Sequence, residues 1–120
     1  MKTEELAREV ISKLTDESRT LATAESCTGG LLGKLLTDIP GASNVYKGGV
    51  ISYVNEVKHR LLGVEQETLD ICTAVSRETA HEMAKGAREA VKADVGVSTT
   101  GLAGPDGDGT GRPVGLVYVA

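Results

Sequence analysis

The chain has 120 residues, 40% of them hydrophobic, and a formal net charge of -4. That length fits one modest domain. The charge carries no basic stripe, which leaves nucleic-acid binding without electrostatic support. The core must also be unusual: the chain has no Phe or Trp and only three Tyr. Val, Leu, Ile and Ala have to fill it, which favours tight α/β layers.

In chain order, residues 3–15 (TEELAREVISKLT) set Leu6, Val10, Ile11 and Leu14 on one helical face. Acids lead and Lys13 trails, as the helix dipole prefers. Residues 20–24 (TLATA) are short and small and predict a buried strand. A turn at 25–30 feeds a helix over 31–38, which Pro40-Gly41 ends. Residues 41–49 (GASNVYKGG) read as a loop, 50–55 (VISYVN) as a second strand, and 56–64 as a short helix stopped near Gly63. The segment 65–75 has no clear period and reads as a connection. Ser76 then looks like an N-cap, with Glu78 in the first turn of a helix reaching about Lys92. Thr79, Met83, Ala87 and Val91 fall near one face of it. Residues 94–100 predict a third strand, 101–113 a glycine-rich loop, and 114–120 a fourth strand. Alternating strands and helices give one α/β domain.

The two cysteines, Cys27 and Cys72, lie far apart, and no CxxC or Cys/His cluster occurs. Neither a disulfide framework nor a zinc site is expected. Both read as reduced thiols of a cytosolic protein. No apolar run approaches the roughly 20 residues of a membrane span, and the N-terminus lacks a signal-peptide core.

The segment TAESCTGGLLG, 23–33, holds the first candidate chemistry. Ser26, Cys27 and Thr28 are possible nucleophiles at a strand-to-helix turn. Backbone N–H groups there can stabilise developing negative charge, and Gly29 and Gly30 permit close approach of a substrate. The same residues also suit an ordinary helix cap. The only histidines, His59 and His81, have no obvious orienting acid, which argues against a Ser-His-Asp triad. Lys58 lies just past the second strand, where sites gather in open α/β sheets. Burial or neighbouring Arg60 could lower its pKa enough for base chemistry, although an isolated lysine is more often solvated. Tyr53 at the same strand end suits proton relay or core filling. The segment TGLAGPDGDGTGRP, 100–113, follows a third strand end. It is neither a P-loop nor a G-x-G-x-x-G turn. Long loops of this kind tend to be functional, and its N–H groups could cradle a phosphate. Thr100 and Arg112 are candidate ligands.

Together, TAESCTGGLLG, GGVISYVNEVKHRLLGV, AVSRETAHEMAKGAR and TTGLAGPDGDGTGRPVGLVYVA resemble the CinA C-terminal domain family of nicotinamide-nucleotide amidohydrolases. The resemblance runs from the first helix to the last residue. It implies a three-layer α/β/α sandwich around a mixed, largely parallel sheet. It implies hydrolysis of the carboxamide of nicotinamide mononucleotide, without a metal or other cofactor. Ser26 would be the nucleophile, Lys58 its base, and Tyr53 an aid to positioning or proton transfer. N–H groups around Thr28, Gly29 and Gly30 would hold the oxyanion. The loop with Gly101 and Gly104, helped by Thr100 and Arg112, would hold the ribose phosphate. Family members usually continue past VYVA with a strand and a closing helix. The chain therefore reads as truncated at its C-terminus and as a stand-alone form, and its exposed sheet end suggests a homo-oligomer. The expected partner is a small nucleotide substrate, not nucleic acid or membrane. Two other classes stay open: an amidase or esterase on another small substrate, and a non-catalytic nucleotide-binding module.

Overall fold

Leu21, Thr23 and Glu25 point one way from the first strand and Ala22 and Ala24 the other, and this alternation organises the domain. Both sets are buried, so helices must cover both faces. The computed structural model describes all 120 residues and shows how. Helix α1 spans Thr3–Asp16, strand β1 Leu21–Glu25, α2 Leu31–Thr37 and β2 Tyr46–Ile51. Three helices follow, α3 at Asn55–Leu62, α4 at Gln66–Cys72 and α5 at Arg77–Ala90, then β3 at Val95–Gly101 and β4 at Val117–Val119. The sheet order is β2-β1-β3-β4, parallel except for β4.

The layers follow from the handedness of parallel crossovers. The β1-to-β2 connection moves toward one edge of the sheet, and the β2-to-β3 connection returns past β1 toward the other. Right-handed crossovers in opposite directions put their helices on opposite faces. Accordingly, Ala7, Ile11 and Leu36 from α1 and α2 pack with Leu21 on one face. Leu62, Leu69, Met83 and Ala87 from α3, α4 and α5 pack with Ala22 and Ala24 on the other. The result is the expected α/β/α sandwich with a mixed, largely parallel sheet. Small residues replace aromatic ones by letting backbones meet: a Cβ on Gly86 of α5 would sit 1.9 Å from the Leu62 carbonyl oxygen.

Several boundaries depart from the sequence reading. The second strand occupies 46–51, not 50–55, and a 3₁₀ turn at Ala42–Asn44 precedes it. Gly48 and Gly49 lie inside the strand, not in a loop. Gly49 is needed there because a Cβ would fall 2.3 Å from the Thr23 carbonyl oxygen on β1. The connection 65–75 contains helix α4, with Leu69 buried. The last strand is shorter than 114–120, and Val117 and Val119 remain exposed. On α1 the buried face is Ala7 and Ile11, while Leu6 is exposed. Ser76 does cap α5, its Oγ accepting the Thr79 N–H at 3.1 Å.

This winding fixes where chemistry can gather. β1 and β3 run side by side, and the chain leaves β1 toward one edge after arriving from α1. Ligands of open α/β sheets bind outside the carboxyl ends of strands at such a reversal. Ser26 directly follows β1, Lys58 follows β2 by way of α3, and the 101–113 loop follows β3.

Candidate active site

Ser26 is pinned at the end of the ladder. Its N–H donates to the Thr99 carbonyl on β3 at 3.0 Å, and the residue is 7% exposed. The β1–β3 pairing thus holds the nucleophile candidate by its backbone. Across from it, Ser52 donates its N–H to the Glu25 carbonyl at 2.7 Å, which ties the end of β2 to β1.

Lys58 enters between these two strand ends from the second turn of α3. It is 1% exposed, so the surface role usual for a lysine does not apply. Its Nζ lies 3.0 Å from Ser26 Oγ, 2.7 Å from the Ser52 carbonyl oxygen and 3.3 Å from that of Tyr53. It takes part in none of the ion pairs of the protein. Burial without a carboxylate partner pulls its pKa below the ordinary 10.5. Three oxygens surround Nζ, enough for the three N–H donors of the ammonium, and the lowered pKa favours loss of one proton. In the neutral amine two N–H bonds would still satisfy the two carbonyls, and the lone pair would face the Ser26 hydroxyl proton.

Cys27 is only partly buried, and burial pushes its thiol above its ordinary value, outweighing the pull of nearby N–H groups and Lys58. It therefore rests as the thiol, the less nucleophilic form. His59 Nδ1 sits 2.7 Å from the Val64 carbonyl at the end of α3 and has no place in the site.

The turn after Ser26 differs from its expected use. Gly29 and Gly30 take φ of +61° and +107°, conformations open to glycine, and bend the chain into α2. The N terminus of α2 does not offer free donors. Glu25 folds back beneath it, accepting the Leu32 N–H at 2.8 Å and the Gly33 N–H at 2.9 Å. Gly29 N–H is also occupied, by the Ser26 carbonyl. The N–H groups of Cys27, Thr28 and Gly30 donate to no backbone carbonyl, and of these residues only Cys27 borders the cleft beside Ser26. The Thr28 side chain is committed elsewhere, to Glu25 and Thr99.

Ser26, Tyr53, Lys58, Thr100, Gly101 and Gly104 line one cleft of about 470 Å³. Thr28, Gly29, Gly30 and Arg112 do not line it. Tyr53 is 69% exposed at its mouth; it is the backbone carbonyl, not the phenol, that touches Lys58. Thr100 donates its hydroxyl proton to the Ala74 carbonyl at 2.7 Å, so toward a ligand it acts as an acceptor. Arg112 turns to the end of α4, donating to Thr73 Oγ1 and, at 3.4 Å, to the Cys72 carbonyl. Instead of a cation, the loop brings Asp106 and Asp108 to the cleft. The Thr110 hydroxyl, then its N–H, holds the Asp108 carboxyl below its ordinary value, so it stays ionised at neutral pH. A larger space of about 600 Å³ beside β4, with His81, Glu78 and Tyr118, holds no paired nucleophile and base.

Sequence reasoning missed Ser52, Ala74 and the role of Glu25. Ser52 was visible only as one letter of a strand, and its part is played by its backbone carbonyl. Ala74 reaches the cleft from a segment with no periodic signal. No group of three or more His, Cys, Asp or Glu is placed to hold a metal ion.

Residues 3–120 match the sequence profile of the CinA C-terminal domain. The chain belongs to the CinA C-terminal domain family. A relative in Caldanaerobacter subterraneus, named as a candidate competence-damage inducible protein, is 57% identical over 116 residues, 97% of this chain. A CinA-like protein of Leptospira borgpetersenii is 51% identical, again over 97% of this chain. The chain spans 28% of the length of each of these relatives. Among solved structures, a competence/damage inducible protein from Agrobacterium tumefaciens superposes with a TM-score of 0.93 at 47% identity. It is covered over 71% of its chain by 98% of this one. A competence damage-inducible protein from Klebsiella pneumoniae gives a TM-score of 0.97 at 37% identity, with 99% and 74% covered. The CinA C-terminal domain thus accounts for residues 3–120. No helix is long and apolar enough to cross a membrane.

Proposed function

We propose that this chain hydrolyses the carboxamide of nicotinamide mononucleotide to nicotinate mononucleotide and ammonia. The observation that carries the reading is the buried Lys58 Nζ, without a counter-ion, 3.0 Å from Ser26 Oγ. A neutral amine beside a serine hydroxyl is the minimum apparatus of nucleophilic amide cleavage. In the first half, Ser26 Oγ attacks the carboxamide carbon while Lys58 takes its proton. The oxyanion would meet the Cys27 N–H, which has no backbone acceptor, and losing such a donor costs about 3 kcal/mol of barrier. Collapse breaks the C–N bond, and Lys58 returns the proton to the departing ammonia. In the second half, water gives a proton to Lys58 and attacks the ester carbon. The C–Oγ bond breaks, and the proton returns to Ser26. No step needs a metal.

The nucleotide part of the substrate rests on the family resemblance. Positions 101–112 form one wall of the cleft and would contact the ribose phosphate. Asp106, Asp108 and the turned-away Arg112 favour a second reading, an amidase acting on a small uncharged or cationic amide. Ammonia release, without added metal, from the nucleotide and from analogues lacking the 5'-phosphate separates the two. Turnover restricted to the phosphorylated substrate and absent in Ser26→Ala supports the first. Equal turnover of the unphosphorylated amide removes it.

We also propose that the chain forms a homo-oligomer, with β2 at one edge of the sheet as the contact. Light scattering showing only monomer at micromolar concentration would defeat that part.

A further inference from the structure

Glu25 is the one carboxylate buried in the core, at 2% exposed, and the chemistry above does not use it. Its side-chain bonds go to the turn that carries the nucleophile and to the first residues of α2. Oε1 accepts from the Leu32 N–H at 2.8 Å and from the Thr28 hydroxyl at 2.7 Å, while Oε2 accepts from the Gly33 N–H at 2.9 Å. Gly33 makes this approach possible, since a Cβ there would sit 3.4 Å from Oε2 and 2.8 Å from the Tyr46 hydroxyl. Helix α2 has no side-chain cap from its own N-cap residue, Gly30. A carboxylate reaching up from the preceding strand replaces it.

The bonds continue across the sheet with a fixed direction. Thr28 spends its only hydroxyl proton on the acceptor-only carboxylate, so toward Thr99 it must accept. Thr99 Oγ1, 2.7 Å away, is therefore the donor. The carbonyl of the same Thr99 accepts the Ser26 N–H. A closed ring results: Ser26 to Thr99 by backbone, Thr99 to Thr28 and Thr28 to Glu25 by side chain, and Glu25 to Ser26 by the peptide bond. The Glu25 carbonyl also accepts the Ser52 N–H, and the Ser52 carbonyl holds Lys58. One residue thus fixes the nucleophile through its side chain and the base through its backbone.

We infer that Glu25, with Thr28 and Thr99, is a positioning device that sets the Ser26 hydroxyl against Lys58. This rests on the Ser26–Lys58 reading but not on the identity of the substrate. Displacement of about 1 Å at such a site can cost a hundredfold in rate. The carboxylate is required as an acceptor on both oxygens. An amide at Glu25 would point its NH₂ at an N–H group of α2 in either orientation.

The experiment follows covalent capture of Ser26 by an arylsulfonyl fluoride, in which Ser26 Oγ bonds to sulfur, fluoride leaves, and Lys58 takes the proton. Intact and peptide mass spectrometry locate the adduct, and circular dichroism gives the folded fraction. Per folded molecule, Glu25→Gln and Thr28→Val are expected to slow capture about a hundredfold and tenfold, with Thr28→Ser restoring the parent rate. In turnover the loss falls on kcat, with KM within about threefold. If Glu25→Gln proves too unstable to assay, the Thr28 pair decides alone. Folded Thr28→Val reacting at the parent rate would overturn the inference, and so would Thr28→Ser as slow as Thr28→Val. A parent that is captured at Ser26 yet releases no ammonia from the nucleotide would defeat the substrate reading, and the capture rates would still decide the role of Glu25.

Discussion

The turn at 25–30 and the loop at 101–113 face each other across one cleft and are built in opposite ways. In the turn, Glu25, Ser26 and the facing Ser52 and Lys58 are buried, and the protein has no buried side-chain polar atom without a partner. In the loop, residues 103–111 are exposed, and the side-chain bonds of Asp108 and Thr110 stay within two residues of each other. Reacting groups need fixed distances, and only packed elements supply them. Ligand discrimination needs reach and tolerance, which a glycine-rich loop provides. On the proposed reading, the difference assigns bond-making to the turn and substrate choice to the loop.

The sharpest way to break this division is to remove the reacting groups. Ser26→Ala and Lys58→Met should each lower kcat for amide hydrolysis by about 10⁴-fold or more with little change in nucleotide affinity. Stopped assays of ammonia together with ligand titration check both halves. Retention of more than about a tenth of parent activity in either variant would place the chemistry elsewhere.

Next in size is the dependence on pH. Only neutral Lys58 can accept a proton, so kcat/KM should rise with pH along a limb centred below 10.5. The stability sign follows from the same lowered value. Between the folded pKa and 10.5 the unfolded chain binds the extra proton, so the parent gains stability, relative to Lys58→Met, as pH climbs through that window. Parallel melting curves for the two proteins from neutral pH upward test this.

On the loop side, Asp106→Asn and Asp108→Asn should lower KM for the phosphorylated substrate about two- to tenfold with kcat retained, since each removes a negative charge from the cleft, and for a cationic amide they should raise it. Arg112→Ala should change KM less than the aspartate variants, because its guanidinium already holds Thr73 and the Cys72 carbonyl. A selective collapse of kcat in any of them would erase the distinction between turn and loop. The smallest effect belongs to Cys27→Ala. With the thiol held in its protonated form, activity should stay within about threefold of the parent.

The sequence disclosed the two regions unequally. Strong periods made α1 and α5 legible, and Ser76 announced its helix through an ordinary cap. β2 was misplaced because Gly48 and Gly49 signal a loop in isolation, while the close approach of β1 makes glycine a requirement within the strand. α4 carries too short a hydrophobic face to show a period, with Leu69 its single buried residue. In the site, Ser26 and Lys58 were visible as residue types at strand ends. That Lys58 is buried was not, since burial depends on the β2–β1 register and on carbonyls of Ser52 and Tyr53, which any residue could present. The phosphate expectation for Arg112 rested on composition, and contact with α4 turns that side chain away. Glu25 stood beside the nucleophile in the sequence, yet its partners Leu32 and Gly33 offer only backbone N–H groups, which no sequence pattern marks.

The central claim is that a neutral Lys58 faces Ser26, and titrating that amine tests it most directly. Lysine ¹³Cε resonances of the folded chain would be followed with pH, with Lys58 assigned by its loss in Lys58→Met. The account predicts one lysine changing charge at a pH clearly below 10.5, coincident with the rising limb of kcat/KM. A Lys58 that titrates at or above 10.5, while Ser26 remains essential, would contradict it.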